Sequence, residues 1–167
     1  MGRASGVLLA VSSLPNSYGI GTFGKEAFDF IDFLVRTKQR YWQVLPLTTT
    51  SYGDSPYQSF SAAAGSPYYI DLKDLEKLGY LKSDDFEDIS FGTSNTCVDY
   101  GALFVNHRRL LNRAFDRFMQ DIPADFEKFC HDHAEWLNPY AEFMSLKEEF
   151  GHKAYWEWPE LYQHRNE

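Results

Sequence analysis

Hydroxyls, rings, an amide and one carboxylate crowd into residues 48–67, a stretch with two prolines, three aromatic residues and no charge except Asp54. Irregular segments of this length are uncommon in compact domains and tend to be functional or disordered. The rings and small apolar residues predict an ordered loop packed on the top of a sheet. The loop either closes the end of a barrel or lines a ligand cleft. Its position after the carboxyl end of a strand favours the cleft, because such loops carry the sites of α/β folds. Asp54 either orients a ligand hydroxyl or braces the loop against backbone N–H groups. Asp71, the other acid near the loop, precedes a short predicted helix and reads as its cap. Acid–base work by paired carboxylates needs two acids a few ångströms apart in unlike environments. The acids after residue 82 instead fall at ordinary solvated helix positions, so no catalytic residue is assigned. His131 and His133 are two apart on a predicted helix and point to different faces, which excludes a zinc pair at i, i+4 spacing. No G-x-S-x-G nucleophile elbow is present.

The elements that must position this loop begin with an apolar run over residues 6–11, read as a strand buried on both faces and ended by Ser12-Ser13-Leu14-Pro15. A glycine loop, Tyr18-Gly19-Ile20-Gly21, follows, with Thr22 as the expected N-cap of a helix over residues 23–36. The apolar residues of that helix, Phe23, Ala27, Phe30, Ile31, Leu34 and Val35, share one face. Residues 41–47 read as a second strand, giving a βαβ unit with parallel strands. Glycines 19, 21 and 24 match G-x-G-x-x-G, but the first lies well beyond the strand end and no acid closes the second strand, so a dinucleotide site is rejected.

Residues 68–72 predict a short strand leading into a helix over 74–78 ended by Gly79, then a short helix over 80–88 with Ser83 as its cap. Helices over 102–119, from Pro123 to a break at Asn138-Pro139, and over 140–150 complete the chain. The order is one βαβ unit followed by a mainly helical block. Two parallel strands with both edges open are not a stable sheet. The chain either oligomerises through those edges or is part of a larger sheet.

The 167 residues are 44% hydrophobic and 24% charged, enough for a packed core. Aromatic residues reach 17%, which suits a ring-rich core or an aromatic-lined groove of the kind that packs against sugar C–H faces. A net charge of −8 argues against a nucleic-acid or anionic-membrane partner and is indifferent to a neutral one. Cys97 and Cys130 form no C-x-x-C pair and read as reduced thiols of a cytoplasmic protein. The N-terminal apolar run is too short for a signal segment or a membrane span.

Ser12-Ser13-Leu14-Pro15, Tyr18-Gly19-Ile20-Gly21, Tyr41-Trp42-Gln43-Val44-Leu45-Pro46-Leu47, Gly53-Asp54-Ser55-Pro56-Tyr57-Gln58-Ser59-Phe60-Ser61, Gly65-Ser66-Pro67-Tyr68 and Ile70-Asp71-Leu72 together resemble the N-terminal pattern of 4-alpha-glucanotransferases, also called amylomaltases or disproportionating enzymes. Val98-Asp99-Tyr100 and Trp156-Glu157-Trp158-Pro159 extend the resemblance over nearly the whole chain. It implies an α/β fold: the N-terminal part of a (β/α)8 TIM barrel, with the first strands and the active-site loop in residues 1–70 and an inserted, mainly helical subdomain in 71–167. It also implies transfer of α-1,4-glucan segments between maltooligosaccharides by a retaining double displacement, without cofactor or metal. The catalytic Asp nucleophile, Glu acid/base and stabilising Asp of the family are then expected beyond Glu167. Carried over by position, Tyr57 and Ser55 line the donor site near the scissile bond, with Asp54 and Gln58 supporting the loop. Tyr52 matches the tyrosine of a remote glucan groove whose aromatic partner position is Phe104, a ring without the hydroxyl. Departures from the family pattern are Ala10 where His is common, Thr48-Thr49-Thr50 in place of a Gly/Pro turn, and Ala64 where Phe is common. The other reading is a standalone glucan-binding module without turnover.

Overall fold

In the computed structural model, described for residues 2–164 apart from 52 and 95, strand β1 (Gly6–Leu8) leads through a glycine loop into helix α1 (Lys25–Arg36), which returns to strand β2 (Tyr41–Gln43). The strands pair in parallel, with Gly6 opposite Tyr41, Val7 opposite Trp42 and Leu8 opposite Gln43. Both are shorter than the apolar runs that encode them. The ladder ends with the Leu9 N–H donating to the Gln43 carbonyl (3.0 Å), and the chain then tightens into a 3-10 turn over Val11–Ser13. Beyond Gln43 the second run has no neighbouring strand among the described residues, and Pro46 offers no N–H for one. The expected burial on both faces is not seen either: Leu8 is 59% and Tyr41 65% exposed.

The N-cap of α1 is Gly24 rather than Thr22; the Thr22 hydroxyl donates to the Asp71 carboxylate while its oxygen accepts from the Gly24 N–H (3.3 Å). Its inner side is carried by Ala27 and Leu34, both buried, with Phe30 packed edge-on to Trp42 at 4.9 Å. Trp42 in turn donates its indole N–H to the Leu9 carbonyl (2.8 Å). Val11, Leu14 and Ala27 form the buried centre of this cluster, covered by Trp42, Val44, Leu47 and Tyr69. Ile31 and Val35, read as part of the inner face, are instead 43% and 69% exposed, and with Phe28 (65%) they make an apolar stripe along the other side of α1.

The predicted strand over 68–72 is a 3-10 turn, Pro67–Tyr69, followed by helix α2 (Leu72–Lys77). Proline fixes φ and removes a ladder donor, so the chain turns: Tyr69 and Ile70 donate to the carbonyls of Ser66 and Pro67 (both 3.1 Å). Asp71 caps α2 through Asp74 N–H (3.0 Å), and Gly79 (φ 83°) ends it, as read. The helix expected over 80–88 is reduced to a 3-10 turn, Ser83–Phe86. Asp85 accepts from the Lys82 N–H (2.8 Å), and the Ser83 hydroxyl goes to Glu76 instead of capping.

Helix α3 (Tyr100–Phe118) is capped by Asp99, which accepts from the Ala102 N–H (2.9 Å). Leu103, His107, Leu110 and Ala114 form its buried line, and Leu110 and Ala114 pack with Leu72 and Leu81. Phe104 and Phe115 are turned outward. Arg117 holds the 80–86 segment against α3, with both guanidinium arms on the Asp85 carboxylate (2.6 and 3.0 Å) and one also on the Tyr80 carbonyl (2.9 Å). That pairing lowers the Asp85 carboxyl to about 2.

The chain divides into two compact units, Met1–Ile122 and Pro123–Glu167. In the second, α4 (Ala124–Asp132) and α5 (Ala134–Glu149) meet at His133, so the break falls there and not at Asn138-Pro139. Pro139 is carried inside α5, where its missing N–H removes one helical hydrogen bond. A 3-10 turn, Tyr155–Glu157, and α6 (Glu160–Gln163) follow. Buried Trp158 packs on Phe143 and Phe150 (both 5.5 Å) and donates to the Lys153 carbonyl (3.1 Å). Both cysteines are free thiols; Cys97 is exposed and Cys130 half-buried. Among the described residues no helix is long and apolar enough to cross a membrane.

Candidate functional site

The 48–67 loop is ordered by its own short side chains. Its ends are drawn together by an antiparallel bridge between Thr48 and Gly65. Beside it, the Thr49 N–H donates to the Ala64 carbonyl (3.3 Å) and the Ser66 N–H to the Leu47 carbonyl (2.9 Å). Within the arc, the Ser61 hydroxyl accepts from the N–H groups of Ala63 and Ala64 (both 3.1 Å). The Ser59 hydroxyl donates to the Ser61 carbonyl (2.7 Å) and lies 3.3 Å from the Thr49 hydroxyl. Serine and threonine hydroxyls bond neighbouring backbone readily, which is how a segment without helix or ladder satisfies its polar groups.

Residues 51–58 form a tighter sub-loop. The Ser51 N–H donates to the Gln58 carbonyl (3.0 Å), the Asp54 N–H to the Ser51 carbonyl (3.1 Å) and the Gln58 N–H to the Ser55 carbonyl (3.0 Å). Gly53 and Asp54 both have left-handed backbones, φ 89° and 54°. Glycine adopts that region freely, and aspartate is among the few other residues that enter it at low cost. Partial burial pushes the Asp54 carboxyl up from its ordinary value.

A concavity of about 450 Å³ opens beside this loop, lined by Pro46, Thr48, Pro56, Tyr57, Ser59, Phe60, Ser61 and Ala62. Tyr57 stands at its edge with 74% of its surface exposed, presenting a ring face and a hydroxyl. Of the residues singled out by sequence, Tyr57 lines the concavity. Ser55, Asp54 and Gln58 shape the sub-loop behind it, and Ser55 also accepts from the Tyr57 N–H (3.4 Å). Phe104 is on α3, 47% exposed and outside the concavity lining, one turn beyond Tyr100. Tyr52 lies outside the described residues.

An aromatic layer adjoins the loop that sequence reasoning missed. Tyr68 packs on Tyr100 (6.2 Å) and edge-on against His107 (5.7 Å). Burial, and next the Asp54 charge, raise the Tyr68 hydroxyl, and burial raises that of Tyr100. His107 is 1% exposed, and neither ring nitrogen has a hydrogen-bond partner among the described residues. Burial lowers it to about 4, with the adjoining Ile70 backbone opposing part of that effect, so the imidazole is neutral near pH 7. Its place on the buried line of α3, at i+4 from Leu103, was the available signal. The lining hydroxyls of Ser59 and Ser61 carried none beyond composition.

The geometry provides an open, uncharged cleft with two exposed rings, Tyr57 and Phe60, and several hydroxyls, a surface for binding a neutral hydroxylated ligand. Among the described residues no group of three or more His, Cys, Asp or Glu could hold a metal ion.

Residues 9–167 match the family model described as 4-alpha-glucanotransferase. The chain is 54% identical over 160 residues to a 4-alpha-glucanotransferase of Streptococcus pneumoniae, covering 95% of this chain and 32% of that protein. It is 46% identical over 161 residues to one of Thermus thermophilus, covering 94% and 31%. Among solved structures it superposes on an amylomaltase from Streptococcus agalactiae in complex with acarbose, with a TM-score of 0.90 and 49% identity over 95% of this chain and 32% of that one. The chain thus spans about a third of the length of the relatives it matches.

Proposed function

The chain belongs to the 4-alpha-glucanotransferase family, and we propose that it is the N-terminal part of such an enzyme, contributing a wall of the glucan donor site. In this reading β1, α1 and β2 are the first βαβ unit of a (β/α)8 barrel. Residues 1–70 supply the first strands and the site loop, and residues 71–167 an inserted, mainly helical subdomain. The exposed apolar surface of Leu8, Tyr41, Phe28, Ile31 and Val35 supports it. A lone two-stranded unit leaves such faces wet, whereas flanking strands and helices of a closed barrel would cover them.

The observation that carries the functional reading is the concavity under Tyr57, an uncharged cleft with a ring at its edge. The substrate is an α-1,4-glucan, whose pyranose faces pack on Tyr57 while Ser55 and the lining hydroxyls take its hydroxyl groups. Asp54 and Gln58 hold the loop in shape, and Tyr52 with Phe104 belongs to a remote groove. The amylomaltase from Streptococcus agalactiae is in complex with acarbose, which agrees with this substrate class. Retaining transfer needs a nucleophilic carboxylate and a second carboxyl group of raised pKa, about 5–5.5 Å apart. Those groups are expected outside residues 1–167, and the enzyme is expected in the cytoplasm. The test is disproportionation of maltotriose by the full-length polypeptide that carries this chain. Glucose and longer maltooligosaccharides are expected; maltotriose binding without products would make the protein a glucan-binding module instead.

A further inference from the structure

Two loops follow the carboxyl ends of the two strands, and one side-chain pair ties them together. The Thr22 hydroxyl, 1% exposed, donates to Oδ2 of Asp71 at 2.5 Å. The same oxygen of Thr22 accepts from the Asn16 side-chain amide (3.3 Å) and the Gly24 N–H (3.3 Å), so its hydrogen-bonding capacity is used in full. Oδ1 of Asp71 accepts from the Asp74 N–H (3.0 Å) and caps α2. One carboxylate therefore joins the glycine loop after β1 to the start of α2, immediately beyond the site loop. A second link lies two residues away, where the Phe23 N–H donates to the Tyr69 carbonyl (3.1 Å). The approach is close enough to require glycine: a Cβ on Gly24 would lie 2.0 Å from Oδ2 of Asp71.

The 48–67 arc is closed on itself at Thr48–Gly65, so its internal bonds fix its shape but not its place. The arc is held before its start by Leu47, packed on the Val11–Leu14–Ala27 cluster, and just after its end by the residues the Thr22–Asp71 pair grips. We propose that Thr22 and Asp71 are positioning residues for glucan transfer, latching the loop that carries Tyr57 to the glycine loop after β1. The proposal rests on the functional reading above and names how its site is held.

The experiment uses the full-length enzyme and a double-mutant cycle. Thr22→Val keeps the shape and removes the hydroxyl; it is expected to lower kcat/KM for maltotriose transfer by roughly tenfold, the scale of one hydrogen bond to a charged group. Thr22→Ser keeps the hydroxyl and is expected to recover most of that loss. In a Tyr57→Ala background, Thr22→Val is expected to cost less than about threefold more, because a latch acts only through the ring it places. Should Thr22→Val not fold, Asp71→Asn, which can keep the α2 cap, takes its place in the same cycle. Equal losses in both backgrounds, or wild-type kcat/KM in Thr22→Val, would overturn the latch. A wild-type enzyme that makes no transfer products would instead remove the functional reading itself.

Discussion

Replacing Tyr57 by Ala in the full-length enzyme separates binding from folding, because the ring is 74% exposed. About a quarter of a tyrosine's ~200 Å² is covered by the loop, or ~50 Å². At ~25 cal/mol per Å² the truncation costs at most ~1.3 kcal/mol of stability, an upper bound because the unfolded chain also buries some of that area. A pyranose laid on one ring face would cover roughly half of the remaining ~150 Å², and ~75 Å² corresponds to ~2 kcal/mol by the same coefficient. If that contact is made in the transition state, kcat/KM should fall about 30-fold, and the melting temperature by only a few degrees. The assay is glucose release from maltotriose across a range of substrate concentrations, alongside thermal unfolding of both proteins. A large melting shift with unchanged transfer would show that the ring braces the loop and that the concavity does not seat the donor.

The remaining expectations concern the fold and the division of labour. His107 falls from its ordinary 6.5 to about 4 on burial, so protonation favours the unfolded chain. Its contribution is present in full above pH 6.5 and is lost as pH falls toward 4, at most ~3 kcal/mol, and urea titrations of His107→Leu should flatten over that window. A wild-type profile without slope there would refute the burial of the imidazole as the cause. Asp85 has the opposite origin but the same acid side: Arg117 depresses it from 3.8 to about 2, so its stabilisation holds above pH 3.8 and disappears as pH falls through 2. After allowance for solvent screening the pair is worth ~1–2 kcal/mol, and Asp85→Asn should remove that dependence. The 167 residues alone should yield no disproportionation products from maltotriose by chromatography; products would place catalytic acids within this chain.

The βαβ order was legible because its signals are local: an apolar run, a glycine loop, helical spacing and a second apolar run all act within a few residues. Strand length was not, since a strand lasts as long as its neighbour does, and Leu9–Gln43 is the last ladder contact available to both. Pro67 announced a turn that the β-branched and aromatic residues after it obscured. Pro139 was read as a break, yet a helix can lose one hydrogen bond and continue when its flanks are packed, here by Trp136 near Tyr140 (6.4 Å). At the site, the loop was legible from its composition, whereas Tyr57, which lines the concavity, was singled out only by the family resemblance. The Thr22–Asp71 contact was not, because its partners lie 49 residues apart and each has a plausible local role as a cap.

That last case shows why the placement of the site is harder to read than its composition. Thr22 looked like the N-cap of α1 and Asp71 like the N-cap of α2; Asp71 does cap, with one oxygen, and lends the other to Thr22. The Thr22 oxygen still accepts from the Gly24 N–H, and α1 begins at Lys25 with Gly24 as its N-cap, whose missing side chain makes room for the carboxylate. The displaced helix cap, the glycine at that cap and the tie to the start of α2 all meet at a single buried hydroxyl. Local rules assign each residue its best neighbour along the chain, and the fold reassigns those whose polar atoms can serve two segments at once. In this chain the reassigned residues join the glycine loop after β1 to the start of α2, the segment that directly follows the loop carrying the candidate site.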